Sequence, residues 1–113
     1  MAIIYGIRTC GNVRKAIKFF TDNNLEFIFH DIRNSALDAD KIEYFTTKVD
    51  INILLNNKGT KYRDLKLKDL NLNDYQKLKW LQKENMLLKR PIIEYKDNVI
   101  CAYNEDIYKK EFL

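Results

Sequence analysis

Cys10 is the residue in this chain best placed for nucleophilic chemistry. It stands between an apolar segment and a basic one, and Arg8, Arg14 and Lys15 add positive charge close by. A thiolate is the reactive form of cysteine, and the unpaired N–H groups and positive dipole end of a helix N-terminus favour it. Position therefore supports a reactive thiol at Cys10, and a buried structural cysteine is the alternative that position leaves open.

This thiol has no second cysteine within its own motif. Val13 stands three residues after Cys10, where a two-cysteine redox motif carries its second thiol. A disulfide within the motif is therefore excluded, so a resolving thiol must come from elsewhere. Cys101 lies in the apolar run "NVICAY" and is interpreted as a small strand or core residue.

The dipeptide Arg90-Pro91 is the second feature that suggests chemistry. Proline has no N–H to donate, so Pro91 belongs at the first residue of a strand and not within one. A guanidinium group can donate two parallel hydrogen bonds to an oxyanion. Arg90 is therefore a candidate anion-binding residue, with a plain surface arginine as the alternative.

Other site classes find no support in the sequence. The single histidine, His30, and two distant cysteines form no metal-binding cluster, so no metal is expected and His30 is interpreted as structural or surface-exposed. The three glycines stand alone, so there is no glycine-rich phosphate loop. The net charge is +4, but lysines alternate with acids, which predicts a solvated mixed surface and no direct nucleic-acid binding.

Strands and helices alternate in the elements that must position Cys10 and Arg90. The pattern predicts a strand over residues 2–6, a helix from Gly11 and a second strand over residues 25–32. These two strands should be parallel. Towards the C-terminus, "PIIEY" and "VICAY" around the turn "KDN" predict a β-hairpin, and "NEDIYKKEFL" predicts a last helix capped by Asn104.

The middle of the chain has a helical character. "SALDADKIEYFTTKV" predicts a helix with Ser35 and Asp38 as capping candidates, and "NDYQKLKWLQKE" predicts another. "INILLNN" predicts a short helical piece, and "KGTKYRDL" a loop around Gly59. The order β-α-β, helices, β-β-α predicts an α/β, thioredoxin-like fold whose mixed four-stranded sheet carries a helical subdomain inserted between strands 2 and 3.

The length and hydropathy of the chain limit its organisation. Its 113 residues suit one domain, with a core at about residues 1–34 and 88–113 and an insertion at about 35–87. No apolar run reaches the roughly 18 residues of a membrane span. No signal peptide is recognised, and two cysteines without one predict a reducing, cytoplasmic location without a membrane partner.

Several motifs together resemble a known family. "YGIRTCGNVRKA", "FHDIR", "LLNNKGTKYRDL" and "LLKRPII", in this order, resemble the arsenate-reductase-like family, which includes the redox regulator Spx, over roughly residues 3–112. The resemblance implies that Cys10 is the nucleophile and that Arg90 contacts the oxyanion. It also implies that Pro91 is cis and lies against the thiol, while the N–H groups of Gly11 and Asn12 help to hold the anion.

The chain departs from the arsenate reductases of this family at two positions. Their two further arginines correspond to Asn56 and Ala102, so the resemblance implies weak or no arsenate reduction. Lys58 and Arg63 are candidates for supplying positive charge instead. Arg8 and Arg14 are further candidates beside the thiol.

The resemblance implies two alternative functions. The first is a thiol oxidoreductase without a bound cofactor, in which Cys10 acts as a single thiol and glutathione is the co-substrate. The alternative is an Spx-like transcriptional regulator that binds the C-terminal domain of the RNA polymerase alpha subunit. Val13 argues against a two-cysteine redox switch of the Spx type.

Overall fold

The computed structural model describes all 113 residues, which form two compact units. One unit comprises Met1–Asp31 with Arg90–Leu113, and the other comprises Ile32–Lys89. That both belong to one domain stays a prediction. None of the helices combines the length and the apolar character that crossing a bilayer requires. The elements in chain order are β1 (Ala2–Gly6), α1 (Gly11–Asp22), β2 (Phe27–Asp31), α2 (Ala39–Lys48), α3 (Ile51–Leu54), α4 (Thr60–Asp64), α5 (Asp74–Lys83), β3 (Ile92–Tyr95), β4 (Asn98–Cys101) and α6 (Glu105–Phe112).

The first unit is built on a mixed sheet of four strands. Their order is β2-β1-β3-β4, with β1 parallel to β2 and antiparallel to β3, and β3 antiparallel to β4. Helix α1 connects the two parallel strands β1 and β2, as the β-α-β pattern requires. This arrangement confirms the predicted α/β, thioredoxin-like fold with a β-β-α end.

One face of this sheet packs against α1 and α6. Ile4 and Ile93 are opposite each other in the register and are fully buried against Phe20 of α1 and Tyr108 of α6. Because side chains alternate along a strand, Tyr5, Ile92 and Cys101, which the register also aligns, belong to the opposite face. The two faces thus separate the aromatic core from the strand position that carries Cys101.

The second unit is helical, and its helices α2, α3 and α5 begin at capping side chains. Asp38, rather than Ser35, caps α2, because its carboxylate accepts a hydrogen bond from the Lys41 N–H at 2.8 Å. The prediction for "KGTKYRDL" was wrong in part, since Thr60–Asp64 form the short helix α4. None of the residues in α4 is buried, so no apolar periodicity marks this helix in the sequence.

A buried amide ties the segment before α2 to the end of α5. Asn85 is 8% exposed, and its Oδ1 accepts a hydrogen bond from the Leu37 N–H at 2.7 Å. Its Nδ2 donates to the Leu81 carbonyl at 3.0 Å. Both polar ends of the side chain are therefore satisfied, as burial of an amide requires.

Candidate active site

Cys10 is the N-cap residue of α1. Its backbone is extended (φ −82°, ψ 126°), and its carbonyl accepts the Arg14 N–H at 3.1 Å, which is the first hydrogen bond of the helix. Its own N–H donates to the Ile7 carbonyl at 3.2 Å, which closes the turn after β1. The thiol makes no capping hydrogen bond and is half-buried. The thiol therefore lies at the start of a twelve-residue helix and is partly open to solvent.

Gly11 and Asn12 are the first two residues of α1, and both are exposed. Backbone N–H groups in the first turn of a helix have no acceptor within the helix. Together with the positive end of the dipole they form a favourable place for an anion. The structure thus places the two predicted backbone donors directly after the thiol.

Val13, at the position of the absent second cysteine, points into the core. It is fully buried, and it lies so close to Gly6 that a Cβ atom on this glycine would be 2.6 Å from a Val13 methyl group. The first turn of α1 is therefore packed against the last residue of β1. An apolar side chain fills the position where a resolving thiol would otherwise stand.

The guanidinium groups of Arg8 and Arg14 are engaged beside α1 and do not hydrogen bond to Cys10. The Arg8 guanidinium lies 4.3 Å from the centroid of the Phe29 ring, in a cation–π contact. Arg14 Nη1 donates to the Arg8 carbonyl at 3.4 Å. Both side chains line an open cavity of about 340 Å³ along α1, together with Ile17. The structure therefore brings Arg8 and Arg14 together, and both form part of the wall of this groove.

The Arg90-Pro91 peptide bond is cis, which confirms the expectation from the resemblance. Pro91 is buried, Arg90 is half-buried with its Nε inside the protein, and the Pro91 carbonyl accepts the Ala102 N–H at 2.8 Å. The register pairs Tyr5 with Ile92, so one residue further along Pro91 comes opposite Gly6. Arg90 and Pro91 therefore precede β3 at the end of the two central strands where β1 leads into the turn before Cys10.

Lys58 and Arg63 belong to the second unit, where they lie together. Arg63 Nη1 donates to the Lys58 carbonyl at 3.0 Å, and Nη2 donates to Thr60 Oγ1 at 3.4 Å. Both residues line an open cavity of about 490 Å³. Five further residues line it and were not predicted from the sequence: Asn57, Tyr62, Lys66, Lys68 and Asp69.

Asn56 and Ala102, which the resemblance aligns with the two further arginines, have local structural roles. Asn56 Oδ1 accepts the Lys58 N–H at 3.3 Å, and its amide group packs against Gly59. Ala102 has a left-handed backbone (φ 75°) at the end of β4. Neither side chain carries a charge, so neither can replace a guanidinium group.

His30 lies on β2 and contacts Tyr5. The two ring centroids are 5.2 Å apart, and the Tyr5 hydroxyl donates to Glu94 Oε1 at 2.9 Å. Tyr5 shares its sheet face with Cys101, opposite the face that packs against α1. The histidine is thus part of the sheet packing, in keeping with its structural interpretation.

Comparisons with known proteins agree with this architecture. The model of the ArsC family matches residues 5–111. An uncharacterized protein of Haemophilus influenzae is 33% identical over 113 residues, which cover 99% of each chain. The global transcriptional regulator Spx 2 of Bacillus anthracis is 20% identical over 97% of this chain and 86% of its own. An arsenate reductase (ArsC) related protein of Brucella melitensis, known from its solution structure, is 26% identical with a TM-score of 0.77, over 98% of this chain and 93% of its own. The chain therefore belongs to the ArsC family.

Proposed function

We propose that this protein is a monothiol reductase in which Cys10 is the nucleophile and glutathione supplies the second thiol. The observation that carries the proposal is the position of Cys10 as the N-cap of α1, half-buried and without a capping hydrogen bond. A sulfur anion at this position meets the unpaired N–H groups and positive dipole end of the helix. Val13, fully buried one turn later, leaves the motif without a resolving thiol.

The proposed reaction proceeds by two thiol–disulfide exchanges. The Cys10 thiolate attacks the glutathione sulfur of a glutathionylated substrate, which forms a mixed disulfide and releases the substrate as its thiolate. A glutathione thiolate then attacks the glutathione sulfur of this mixed disulfide. Glutathione disulfide leaves and Cys10 returns as a thiolate, so in the net reaction one free glutathione thiolate replaces the substrate thiolate in the disulfide.

The position of Cys101 supports an external resolving thiol. Cys10 is the N-cap residue of α1, and this helix packs against the sheet face that carries Ile4 and Ile93. The register assigns Cys101 to the opposite face with Ile92, and both cysteines are free thiols. An internal disulfide between Cys10 and Cys101 is therefore not the route that this proposal takes.

The anion-binding groups near Cys10 suit a carboxylate of glutathione better than arsenate. The N–H groups of Gly11 and Asn12 and the Arg90 guanidinium are the donors that the proposal assigns to the anion. The resemblance aligns Asn56 and Ala102 with the two further arginines of arsenate reductases, and neither residue carries a charge. Each missing charge-assisted hydrogen bond is worth about 1.5–3 kcal/mol, so the proposed reductase acts weakly or not at all on arsenate.

The test is mass spectrometry of the intact protein after incubation with glutathione disulfide. The wild type and Cys101→Ser should each gain one glutathione, and Cys10→Ser should gain none. Subsequent addition of glutathione should restore the free thiol. An internal disulfide in the wild type, or equal adduct formation in Cys10→Ser, would contradict the proposal.

The likeness to Spx 2 favours a second candidate, a transcriptional regulator. A relative with that name matches 97% of the chain, and the resemblance behind it implies docking on the RNA polymerase alpha subunit. A pull-down with the C-terminal domain of that subunit, under reducing and oxidising conditions, tests this candidate. Capture in either state would support it, and its absence in both would leave the reductase as the better proposal.

A further inference from the structure

The cavity of about 490 Å³ in the helical unit concentrates positive charge. Lys58, Arg63, Lys66 and Lys68 line it, with Asp69 as the only acid among the lining residues. These side chains carry a net formal charge of +3, whereas the net charge of the whole chain is +4. The charged side chains around this concave surface are therefore mostly cations, and such a surface attracts anions.

The three lysines of this cavity are not neutralised within the protein. The ion pairs of the chain join other residues, such as Lys18 with Asp22 and Lys109 with Glu105. None of the ammonium groups of Lys58, Lys66 and Lys68 takes part in an ion pair or a side-chain hydrogen bond. Their charges are thus available to a ligand that enters the cavity.

The donor types suit a phosphate group. The fork of an arginine donates two parallel hydrogen bonds to a carboxylate or a phosphate. The terminal nitrogens of Arg63 donate to the Lys58 carbonyl and to Thr60 Oγ1, which orients the guanidinium, and each keeps a second N–H for a ligand. The remaining cations are lysines, which bind phosphate as compact point charges.

The cavity also has an aromatic wall and a fixed frame. The half-buried ring of Tyr62 lines the cavity. The volume of the cavity lies within the range of small-molecule sites. Lys66 and Asn71 have left-handed backbones (φ 55° and 48°) and bracket a short 3₁₀ turn, Leu67–Leu70, that carries Lys68. An aromatic ring beside several cations suits a ligand that joins a planar base to phosphate groups.

We propose that this cavity binds a small phosphorylated ligand with an aromatic ring, of the nucleoside diphosphate class. The lining of the cavity lies within the second unit and does not include Cys10, so this proposal does not rest on the proposed reductase. The lysines hold the phosphates, and Tyr62 stacks on the base.

Isothermal titration of the full-length protein tests the proposal with ADP, pyrophosphate, adenosine and glutathione as probes. ADP should bind most tightly, pyrophosphate more weakly, and adenosine and glutathione weakest. Lys58→Gln combined with Lys66→Gln should weaken ADP binding by about tenfold or more, since charge-assisted contacts are lost. The matched control is Lys48→Gln combined with Lys110→Gln, two exposed lysines outside the cavity, which should leave ADP binding unchanged.

A second variant separates the aromatic contact from the charge. Tyr62→Ala should weaken ADP binding while leaving pyrophosphate binding unchanged, which also shows that the variant is folded. Cys10→Ser should bind ADP like the wild type, so failure of this site and failure of the reductase are distinguishable. Three outcomes would overturn the proposal: no binding of ADP, equal losses in the lysine variants and their control, or tighter binding of glutathione or of a duplex DNA of arbitrary sequence than of ADP.

Discussion

Val13 lies against Gly6 so closely that the glycine leaves no room for a side chain. A Cβ atom placed on Gly6 would be 2.6 Å and 3.2 Å from the two methyl carbons of Val13, which is itself fully buried. This contact joins the last residue of β1 to the first turn of α1. Cys10 follows the turn between them, so the same contact fixes the start of the helix that carries the thiol.

Gly6→Ala should lower the free energy of unfolding by about 1–3 kcal/mol, the cost of overpacking a close-packed core. The measurement is equilibrium unfolding in urea. The matched control is Gly11→Ala, because a Cβ atom on Gly11 meets nothing within 4 Å and alanine favours the helix. Equal losses in both variants would show that Val13 moves aside freely.

A double variant isolates the contact itself. In Gly6→Ala combined with Val13→Ala, the smaller side chain on α1 makes room for the new methyl group. The loss of stability should therefore be smaller than the sum of the two single losses, with a coupling of about 0.5–3 kcal/mol. If the loss in the double variant equals the sum of the two single losses, the effect of Gly6→Ala does not arise from its contact with Val13.

Val13→Cys should convert the single thiol into a dithiol. A buried cysteine behaves as a small apolar residue, and this position is one turn from the Cys10 N-cap, the spacing of a Cys-x-x-Cys motif. With glutathione disulfide, mass spectrometry should find a loss of two hydrogen atoms in this variant in place of the glutathione adduct. Val13→Ala is the control that keeps the adduct, and a stable adduct on Val13→Cys would contradict the expectation.

The sequence predicted the elements that have a buried face. Ala2–Gly6 was found as predicted, because its apolar residues form a strand pattern and a glycine ends it. Helix α4, Thr60–Asp64, was missed because it buries no residue and is too short for a helical period. The start of α1 at Gly11 placed Cys10 at the N-cap, so this part of the site followed from local rules.

Contacts between distant segments were beyond the sequence. Arg8 was a candidate beside the thiol, but its guanidinium lies over Phe29 on β2, a contact that depends on strand pairing. Lysines that alternate with acids predicted a mixed surface. In the structure, Lys58, Lys66 and Lys68 line one cavity, whereas Asp64 is not among its lining residues. The chain turns at Lys66, which has a left-handed backbone, and the sequence does not predict this turn.

Arg90→Gln should slow the reaction of Cys10 with iodoacetate more than its reaction with iodoacetamide. The two reagents differ by a carboxylate, which the Arg90 guanidinium would attract towards the thiol. The expected loss for iodoacetate is about tenfold or more, in line with 1.5–3 kcal/mol for a charge-assisted hydrogen bond. The rates are measured at one pH by loss of free thiol in a Cys101→Ser background.

Two further variants frame this experiment. Arg90→Lys keeps the charge and should keep part of the preference for iodoacetate, although a lysine cannot donate in the bidentate geometry. Lys96→Gln removes an exposed cation from the turn between β3 and β4, at the opposite end of the strands, and should leave the ratio of the two rates unchanged. An unchanged ratio in Arg90→Gln would separate Arg90 from the anion site.

Asn85→Ala should lower the stability of the helical unit. It removes the acceptor of the Leu37 N–H and the donor to the Leu81 carbonyl, and a buried polar group left unsatisfied costs about 1–3 kcal/mol. Urea unfolding measures the loss. Asn57→Ala, at an exposed position, is the control and should change stability by less than about 0.5 kcal/mol. Similar losses in both variants would mean that the buried amide contributes nothing specific.

Tyr108→Phe should change both stability and its dependence on pH. Tyr108 is fully buried, and its hydroxyl donates to the Ala102 carbonyl at 2.8 Å, so its loss should cost about 0.5–1.5 kcal/mol at neutral pH. Burial raises the pKa of Tyr108 above its ordinary value near 10. The folded state therefore keeps this proton when the unfolded state loses it, and wild-type stability should fall as pH rises above about 10.

In Tyr108→Phe this fall in stability at alkaline pH should be smaller, whereas Tyr75→Phe, at a residue that is 66% exposed, should retain the fall. Urea unfolding at neutral pH and above pH ~10 measures both effects, and identical alkaline slopes in the wild type and Tyr108→Phe would refute the assignment to this tyrosine.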